Sequence, residues 1–238
     1  MLTQADHWLE FAGTAVDLFL LCRVLLLRLQ RVYLFITLAC LLSVFFDVVH
    51  LSLYADPKGD SRVFVFSRFL FALIFPLAGW DVFEEMKPQI AKLRRVAIGK
   101  LISGLFFASI FGFLVSLFAQ STDTVNGGFG MLAILALVVW AGSSTATLGF
   151  LWTLHRATRA QNLERPHNTF VWIVFWELSL LAEVLSCFGF LVIPPRSIAF
   201  DIINLLFLAY SIAITIWCIL KLRSVPSNVP SAPANASL

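Results

Sequence analysis

Long apolar runs separated by short polar connections dominate this chain. A helix that spans a bilayer needs about 20 consecutive apolar residues, and the runs have roughly that length. Backbone polar groups in lipid must pair within their own segment, so each run is predicted to be an α-helix. The first run differs from the others because it contains Asp17 and Arg23. The pattern predicts seven spans, at residues 9–28, 32–54, 63–84, 99–119, 130–154, 169–193 and 198–220.

Composition supports a membrane environment. Hydrophobic residues make up 60% of the 238 residues, charged residues only 13%, and the mean hydropathy is +0.89. Soluble domains average about 45–50% apolar and about 25% charged residues, so this chain could not cover a water-exposed surface. We therefore predict an all-α, polytopic bundle of about seven transmembrane helices over residues 1–223. The tail 224–238 is rich in Ser, Pro and Ala and is predicted to be disordered.

The basic residues are distributed unevenly between the two sides of the predicted bundle. Thirteen of the 17 lie near the first, third and fifth connections or after the last span. The other four are Lys58, Arg62, Arg68 and Arg196. Because connections rich in Lys and Arg stay in the cytosol, the N-terminus is predicted outside and the C-terminus inside, in a multi-pass protein of the cell membrane. The basic connections are also predicted to attract anionic lipid, most of all the connection 85–98.

A few charged and polar side chains lie inside the predicted spans, where each is costly unless it meets a partner or water. Counting at about 1.5 Å per residue puts Asp47 and Arg68 at similar depth below the external side, with His50 one turn above Asp47. Two interpretations remain open: an ion pair that fixes two helices, or a binding or proton-handling site. Glu177 and Arg23 form a second possible pair, in the inner half. The complete set of ligand-binding or coupling candidates is Asp17, Asp47, His50, Arg68, Glu183 and Asn204.

Known kinds of intramembrane chemistry do not fit these residues. A zinc site or a bis-histidine haem needs several convergent ligands, and His50 is the only histidine within a predicted span. The stretch Gly142–Thr145 lacks the second glycine of a rhomboid-type serine protease motif, and no span has the mid-span lysine of a retinal protein. The D-R-Y and N-P-x-x-Y motifs of G-protein-coupled receptors are also missing. The sequence therefore predicts no catalytic residues, no metal site and no cofactor.

Seven spans with this sidedness resemble SWEET-type sugar transporters, which have two parallel three-helix repeats joined by a linker helix. Asp47 in the second span and Glu183 in the sixth have comparable depths, and a proline-bearing external turn follows each span. The Pro-Gln signature of those transporters occurs only at Pro88-Gln89, in a charged connection, so no family is assigned.

Two functional hypotheses follow from this pattern. The first is a free-standing sensor or accessory protein that binds a small ligand or lipid from the external side and signals to a separate cytosolic or membrane partner protein. The second is a small-solute or proton-coupled transporter that uses Asp17, Asp47 and Glu183 as coupling carboxylates. A lipid-acting enzyme is a third, weaker hypothesis, and no nucleic-acid partner is expected.

Overall fold

The structure is a computed structural model that describes residues 2–53, 57–90, 128–160, 166–192 and 198–224, together with positions 98, 99, 102 and 106. Every regular element in these ranges is helical. A short 3₁₀ turn, Leu29–Arg31, joins the first two helices. The helices are α1 (Leu2–Leu26), α2 (Leu34–Ser52), α3 (Pro57–Ile90), α4 (Gly128–Ala160), α5 (His167–Val192) and α6 (Ile198–Lys221).

Within the described residues, five helices are long and apolar enough to cross a bilayer. These candidate spans are Leu34–Ser52, Arg62–Met86, Leu132–Ala160, His167–Ser186 and Asp201–Lys221. The first helix does not reach the same apolar character, because Glu10, Asp17 and Arg23 all lie in it. The predicted fourth span, 99–119, lies outside the described residues except at three positions. In the described residues the all-helical architecture is therefore confirmed, with five helices apolar enough to span a membrane, while the count of seven spans stays a prediction.

The six helices pack as a closed ring in chain order, with α6 returning to contact α1. In addition, α3 touches α5 across the ring. Two neighbouring pairs run parallel. Between α1 and α6, Gly13 approaches Leu208 and Arg23 approaches Leu222. Along α3 and α4, the contacts pair Arg68 with Trp140, Ala72 with Ser143, and Phe83 with Phe150.

The outward face of the ring is apolar, as the α2 sequence illustrates. Its exposed residues recur every three or four positions, which places them on one helical face. The opposite face carries Ser43, Asp47 and His50, which line the interior of the ring. A helix with apolar residues outside and polar residues inside suits a lipid surround and not water. The exposed stripe of α2 consists of Leu34, Leu38, Leu41, Phe45 and Val48.

We use two names for the ends of the ring. The basic end is where α1, α3, α4 and α6 finish and where α2 and α5 begin; the cavity end is the opposite one. Arginines follow or finish the helices at the basic end, including Arg28, Arg31, Arg159 and Arg223. For the basic residues that the structure describes, it thus agrees with the predicted clustering at one end of the bundle.

The C-terminal end of α3 differs from the sequence prediction. We expected the third span to stop near residue 84, but the helix continues to Ile90. This extension puts Glu85, which the prediction placed in a polar connection, on the same rigid helix as Arg68. Residues 91–97, part of the connection predicted to attract anionic lipid, lie outside the described residues. So do residues 225–238 of the predicted tail.

Candidate functional site

A cavity of about 510 Å³ lies inside the ring towards the cavity end. Its size falls within the range of about 300–1,000 Å³ typical of small-molecule sites. All six ring helices contribute to its lining. The six predicted site residues, Asp17, Asp47, His50, Arg68, Glu183 and Asn204, all line it. Counting residues along the chain could give the depth of these side chains but not the direction in which they face. The structure shows that they face the same cavity. Their role in binding stays a prediction.

Arg68 is the central cation of this cavity. Its Nη1 atom lies 3.8 Å from Oε2 of Glu183, an ion pair between α3 and α5. Its guanidinium also stacks over the ring of Trp140, 3.8 Å from the centroid, and lies 4.7 Å from that of Phe64. A planar guanidinium is suited to such combined ion-pair and ring contacts. The sequence had suggested Asp47 as the partner of Arg68; the structure adds Glu183, on a helix that reaches α3 across the ring.

Asp47 lies between charges of both signs. It interacts favourably with Arg68 and His50, and unfavourably with the carboxylates of Asp17 and Glu10. The predicted neighbourhood of Asp47, His50 and Arg68 is therefore present in the structure. His50 in turn approaches α1, where its Nε2 atom lies 3.8 Å from Oε1 of Glu10. Glu10 was not among the predicted site residues. Its position about two helical turns before Asp17, on the same face of α1, could have suggested it.

Asp17 and Asn204 complete the predicted set. Asp17 accepts a hydrogen bond of 2.8 Å from the Ser43 hydroxyl of α2. Asn204 lines the cavity from α6, together with the serine side chains of Ser179 and Ser186 from α5. Hydroxyl and amide groups can donate and accept hydrogen bonds. The cavity therefore offers both charged and neutral polar contacts to a solute.

Four aromatic residues of α3 and α5 pack together at the inner side of the cavity, and we call them the aromatic layer: Phe75, Trp172, Phe175 and Trp176. Ring centroids of Phe75 and Trp176 lie 5.5 Å apart, those of Phe175 and Trp176 5.6 Å, and those of Trp172 and Phe175 5.7 Å. All four are buried. These distances lie within the range in which edge-on and offset rings attract one another. On α3 and α5, the layer lies between the cavity and the basic end.

A second polar cluster, which the sequence did not predict, lies beyond the aromatic layer. The Glu85 carboxylate of α3 accepts hydrogen bonds from the hydroxyls of Tyr33 and Thr169. Tyr33 and Thr169 stand at the beginnings of α2 and α5. The Asp81 carboxylate, one turn earlier on α3, accepts from the backbone N–H groups of Phe35 at 2.6 Å and Ile36 at 3.0 Å.

These contacts explain how α2 begins without a cap of its own. The first N–H groups of a helix have no intrahelical acceptor, and Ser, Thr, Asp or Asn usually supplies one. Tyr33 stands at that position and makes no capping bond. Asp81 supplies the acceptor from α3 instead. The missing local cap in the sequence Arg31-Val32-Tyr33 was the one signal that could have pointed to a partner from another helix.

The end of α6 is capped in a similar way by its neighbours. Asn168 donates to the carbonyl of Arg223 at 2.8 Å and accepts from its N–H at 3.0 Å. Arg23 donates to the carbonyl of Leu222 at 3.1 Å. Glu177 contacts His155 at 2.9 Å. The suggested pair of Arg23 with Glu177 is therefore wrong: each of the two has a different partner, because α1 meets α6 and not the α5 face that carries Glu177.

The two carboxylates nearest Arg68 lie at equal depth. Tyr33 and Thr169 bind the same Glu85 carboxylate, and Asp47 and Glu183 each follow 14 residues later, from 33 to 47 and from 169 to 183. At 1.5 Å per helical residue both lie about 21 Å from that shared contact. Thus α2, the middle helix of α1–α3, carries a carboxylate at the same depth as α5, the middle helix of α4–α6.

The fold defines a class, a helical membrane protein with a polar cavity lined by its helix ring. Comparison with protein-family models, curated proteins and solved structures found no match.

Proposed function

We propose that this chain is a seven-span membrane protein, N-terminus outside and C-terminus in the cytosol, that binds a small solute from the external side. In this proposal it acts as a free-standing sensor or accessory protein. The carrying observation is the convergence of charged side chains from α1, α2, α3 and α5 on one cavity. Charged residues inside a membrane bundle are expensive and are retained mostly at functional sites.

The direction of the helices supports the seven-span topology. Since α3 and α4 run parallel, the chain between them must return from the basic end to the cavity end. Residues 91–127 are long enough for one further span and include the predicted one at 99–119. A seventh crossing places the termini on opposite sides. The clustered arginines at the basic end then favour a cytosolic location for that end.

A sensor needs a route from the cavity to the other end of the bundle, and α3 offers one. It carries Arg68 in the cavity and Glu85 at the basic end, 17 residues apart (85 minus 68), or about 25 Å along one helix. A solute that competes for Arg68 would shift α3 and with it the bonds that Glu85 makes to Tyr33 and Thr169. Such coupling requires a packed element with two arrangements, and α3 is the candidate here.

The second candidate function is a transporter, and one observation favours it. The ring consists of α1–α3 followed by α4–α6, and both junctions between these halves, α3 with α4 and α6 with α1, are parallel contacts. Parallel three-helix repeats around a mid-membrane site are a known transporter design. In this alternative, the aromatic layer would be the inner gate. It would have to open on each cycle.

The proposal is tested by filling the cavity. Ser179 lines it, whereas Leu181, two residues along α5, is 42% exposed on the outer face. Full-length protein in lipid nanodiscs is heated with a panel of small amines, amino acids, sugars and carboxylates. A bound solute should raise the unfolding temperature of wild type and Leu181→Trp, but not of Ser179→Trp. If no solute stabilises wild type, or if Ser179→Trp responds equally, the proposed binding site is wrong.

The same solute separates the two candidate functions. In proteoliposomes, a transporter should accumulate it, and Asp47→Asn or Glu183→Gln should abolish uptake without lowering the amount of folded protein. A sensor should bind the solute in the same vesicles and show no uptake.

A further inference from the structure

The charge of the cavity lining indicates which solutes it suits. Four carboxylates line it, from Glu10, Asp17, Asp47 and Glu183, against the basic side chains of Arg68 and His50. Arg68 lies against Glu183 and His50 against Glu10, each at 3.8 Å. Both basic groups therefore already have a carboxylate beside them. The lining keeps an excess of acidic groups, which a cationic solute would balance.

The excess of acidic groups is concentrated between α1 and α2. Asp17 binds the Ser43 hydroxyl of α2, and Asp47 lies one helical turn beyond Ser43 on the same face, so the two carboxylates line the same side of the cavity. The Ser43 hydroxyl is neutral and does not offset the charge of Asp17. Two carboxylates that share a poorly solvated site destabilise each other, and the positive groups nearest Asp47, Arg68 and His50, already lie against Glu183 and Glu10. A cation bound between them would relieve this repulsion and gain from both.

The walls of the cavity suit an organic cation in particular. Aromatic side chains from α2, α3 and α5 line it, among them Phe46, Phe71 and Trp176. The guanidinium of Arg68, 3.8 Å from the centroid of Trp140, already shows that a ring in this lining accepts a cation. Cations over aromatic faces gain about 0.5–2 kcal/mol, most when they are desolvated. Among the described residues, no three His, Cys, Asp or Glu side chains converge closely enough to hold a metal ion.

A separate observation concerns hydrogen-bond donors. The indole Nε1 atoms of Trp140 and Trp176 are buried and have no hydrogen-bond partner in the described part of the chain. Both residues line the cavity and are more than nine-tenths buried, at 1% and 7% exposure. Buried donors are nearly always paired, with protein, water or ligand. An acceptor oxygen on a bound solute would satisfy such a donor.

We infer that the cavity binds a small organic cation that carries a hydrogen-bond acceptor, such as an amino alcohol. This inference rests on the proposed function and narrows it to one class of solute. The cationic group lies between Asp17 and Asp47, against the aromatic wall. The acceptor oxygen faces the indole N–H of Trp176 in the aromatic layer. An anionic solute would meet the excess of carboxylates and is excluded by repulsion.

Choline is the probe, and its neutral analogue, in which carbon replaces the ammonium nitrogen, is the matched control. Titration calorimetry on the full chain in nanodiscs should show choline binding at least about tenfold more tightly than the neutral alcohol, a difference of about 1.4 kcal/mol. Asp17→Asn and Asp47→Asn should each weaken choline binding by about tenfold, and Asp47→Glu should largely restore it. Asp201→Asn removes a carboxylate of α6 that does not line the cavity and should change nothing.

The role of the hydrogen-bond acceptor on the solute is tested with tetramethylammonium, which has the positive charge of choline but lacks its oxygen. It should bind several-fold more weakly than choline to wild type. Trp176→Phe keeps the ring and removes the N–H donor, so it should reduce that difference. Equal binding of the two cations to wild type would overturn the acceptor part of the inference.

Different results would contradict the proposed function and the inferred preference for a cation. If the neutral alcohol binds as tightly as choline and Ser179→Trp abolishes both, the cavity binds solutes but the inferred cation preference is wrong. The inference is also wrong if folded Asp17→Asn and Asp47→Asn proteins both bind choline like wild type. If no solute of the panel stabilises wild type, the proposed function fails and the inference fails with it. Thermal unfolding and size-exclusion profiles establish that each variant is folded.

Discussion

The two ends of the helix ring use polar residues in different ways. At the basic end, Asp81 and Glu85 accept hydrogen bonds from groups at the beginnings of α2 and α5, while Arg23 and Asn168 bind carbonyls at the end of α6. At the cavity end, the charged pairs are longer, at 3.8 Å, and their side chains are partly exposed to the cavity. The first arrangement completes helix ends, and the second leaves polar atoms available to a solute.

This difference shows why intramembrane charge alone does not identify a functional site. Asp81 is 7% exposed and lies in a candidate span. Burying its carboxylate is therefore as costly as burying a carboxylate of a binding site. Its two backbone donors explain its presence without any ligand. Asp47 and Asp17 have no comparable helix end to complete. We therefore expect substitutions at the basic end to reduce stability, and substitutions at the cavity end to reduce binding.

The largest loss of stability is expected from a substitution in the aromatic layer, which lies between the two ends. Trp172 is fully buried between Tyr33 and Phe175, whereas Trp152 is 64% exposed on the outer face of α4. Trp172→Ala should lower the free energy of unfolding by about 3–5 kcal/mol, because it leaves a cavity that neighbouring rings cannot fill. Trp152→Ala is the matched control and should change it by less than about 1 kcal/mol. Denaturant unfolding in detergent micelles measures both, and equal losses would contradict the assignment of the layer to the core.

A smaller loss is expected from the helix cap. Asp81→Ala leaves the N–H groups of Phe35 and Ile36 without their acceptor and should lower the free energy of unfolding by about 1–3 kcal/mol. Glu84→Ala, at an exposed position of the same helix, should have a smaller effect. The measurement is again denaturant unfolding. If Asp81→Ala instead leaves stability unchanged and weakens solute binding, the division between the two ends is wrong.

Much of the fold could be predicted from the sequence, because lipid leaves few alternatives to apolar helices. Six predicted spans coincide with helices to within several residues. Depth also follows from counting residues, and this placed Asp47 and Arg68 at one level. The rotation of each helix does not follow, so the contact of Arg68 with Glu183 required the structure. The role of Glu85 was missed because the predicted span ended just before it, at residue 84, and its partners begin two other helices.

The smallest change in stability is expected at the cavity end, for Glu183→Gln. The pair with Arg68 has a distance of 3.8 Å, and the two side chains are 35% and 24% exposed, so water or a solute can replace the lost contact. Such pairs contribute about 0–1 kcal/mol. A double-mutant cycle with Arg68→Gln, measured by unfolding in the absence of solute, should give a coupling energy in that range. A coupling as large as the loss in Asp81→Ala would mean that the pair fixes α3 to α5 as a structural contact, which is the alternative that the sequence left open. A small coupling together with weaker solute binding would assign the same two residues to the site.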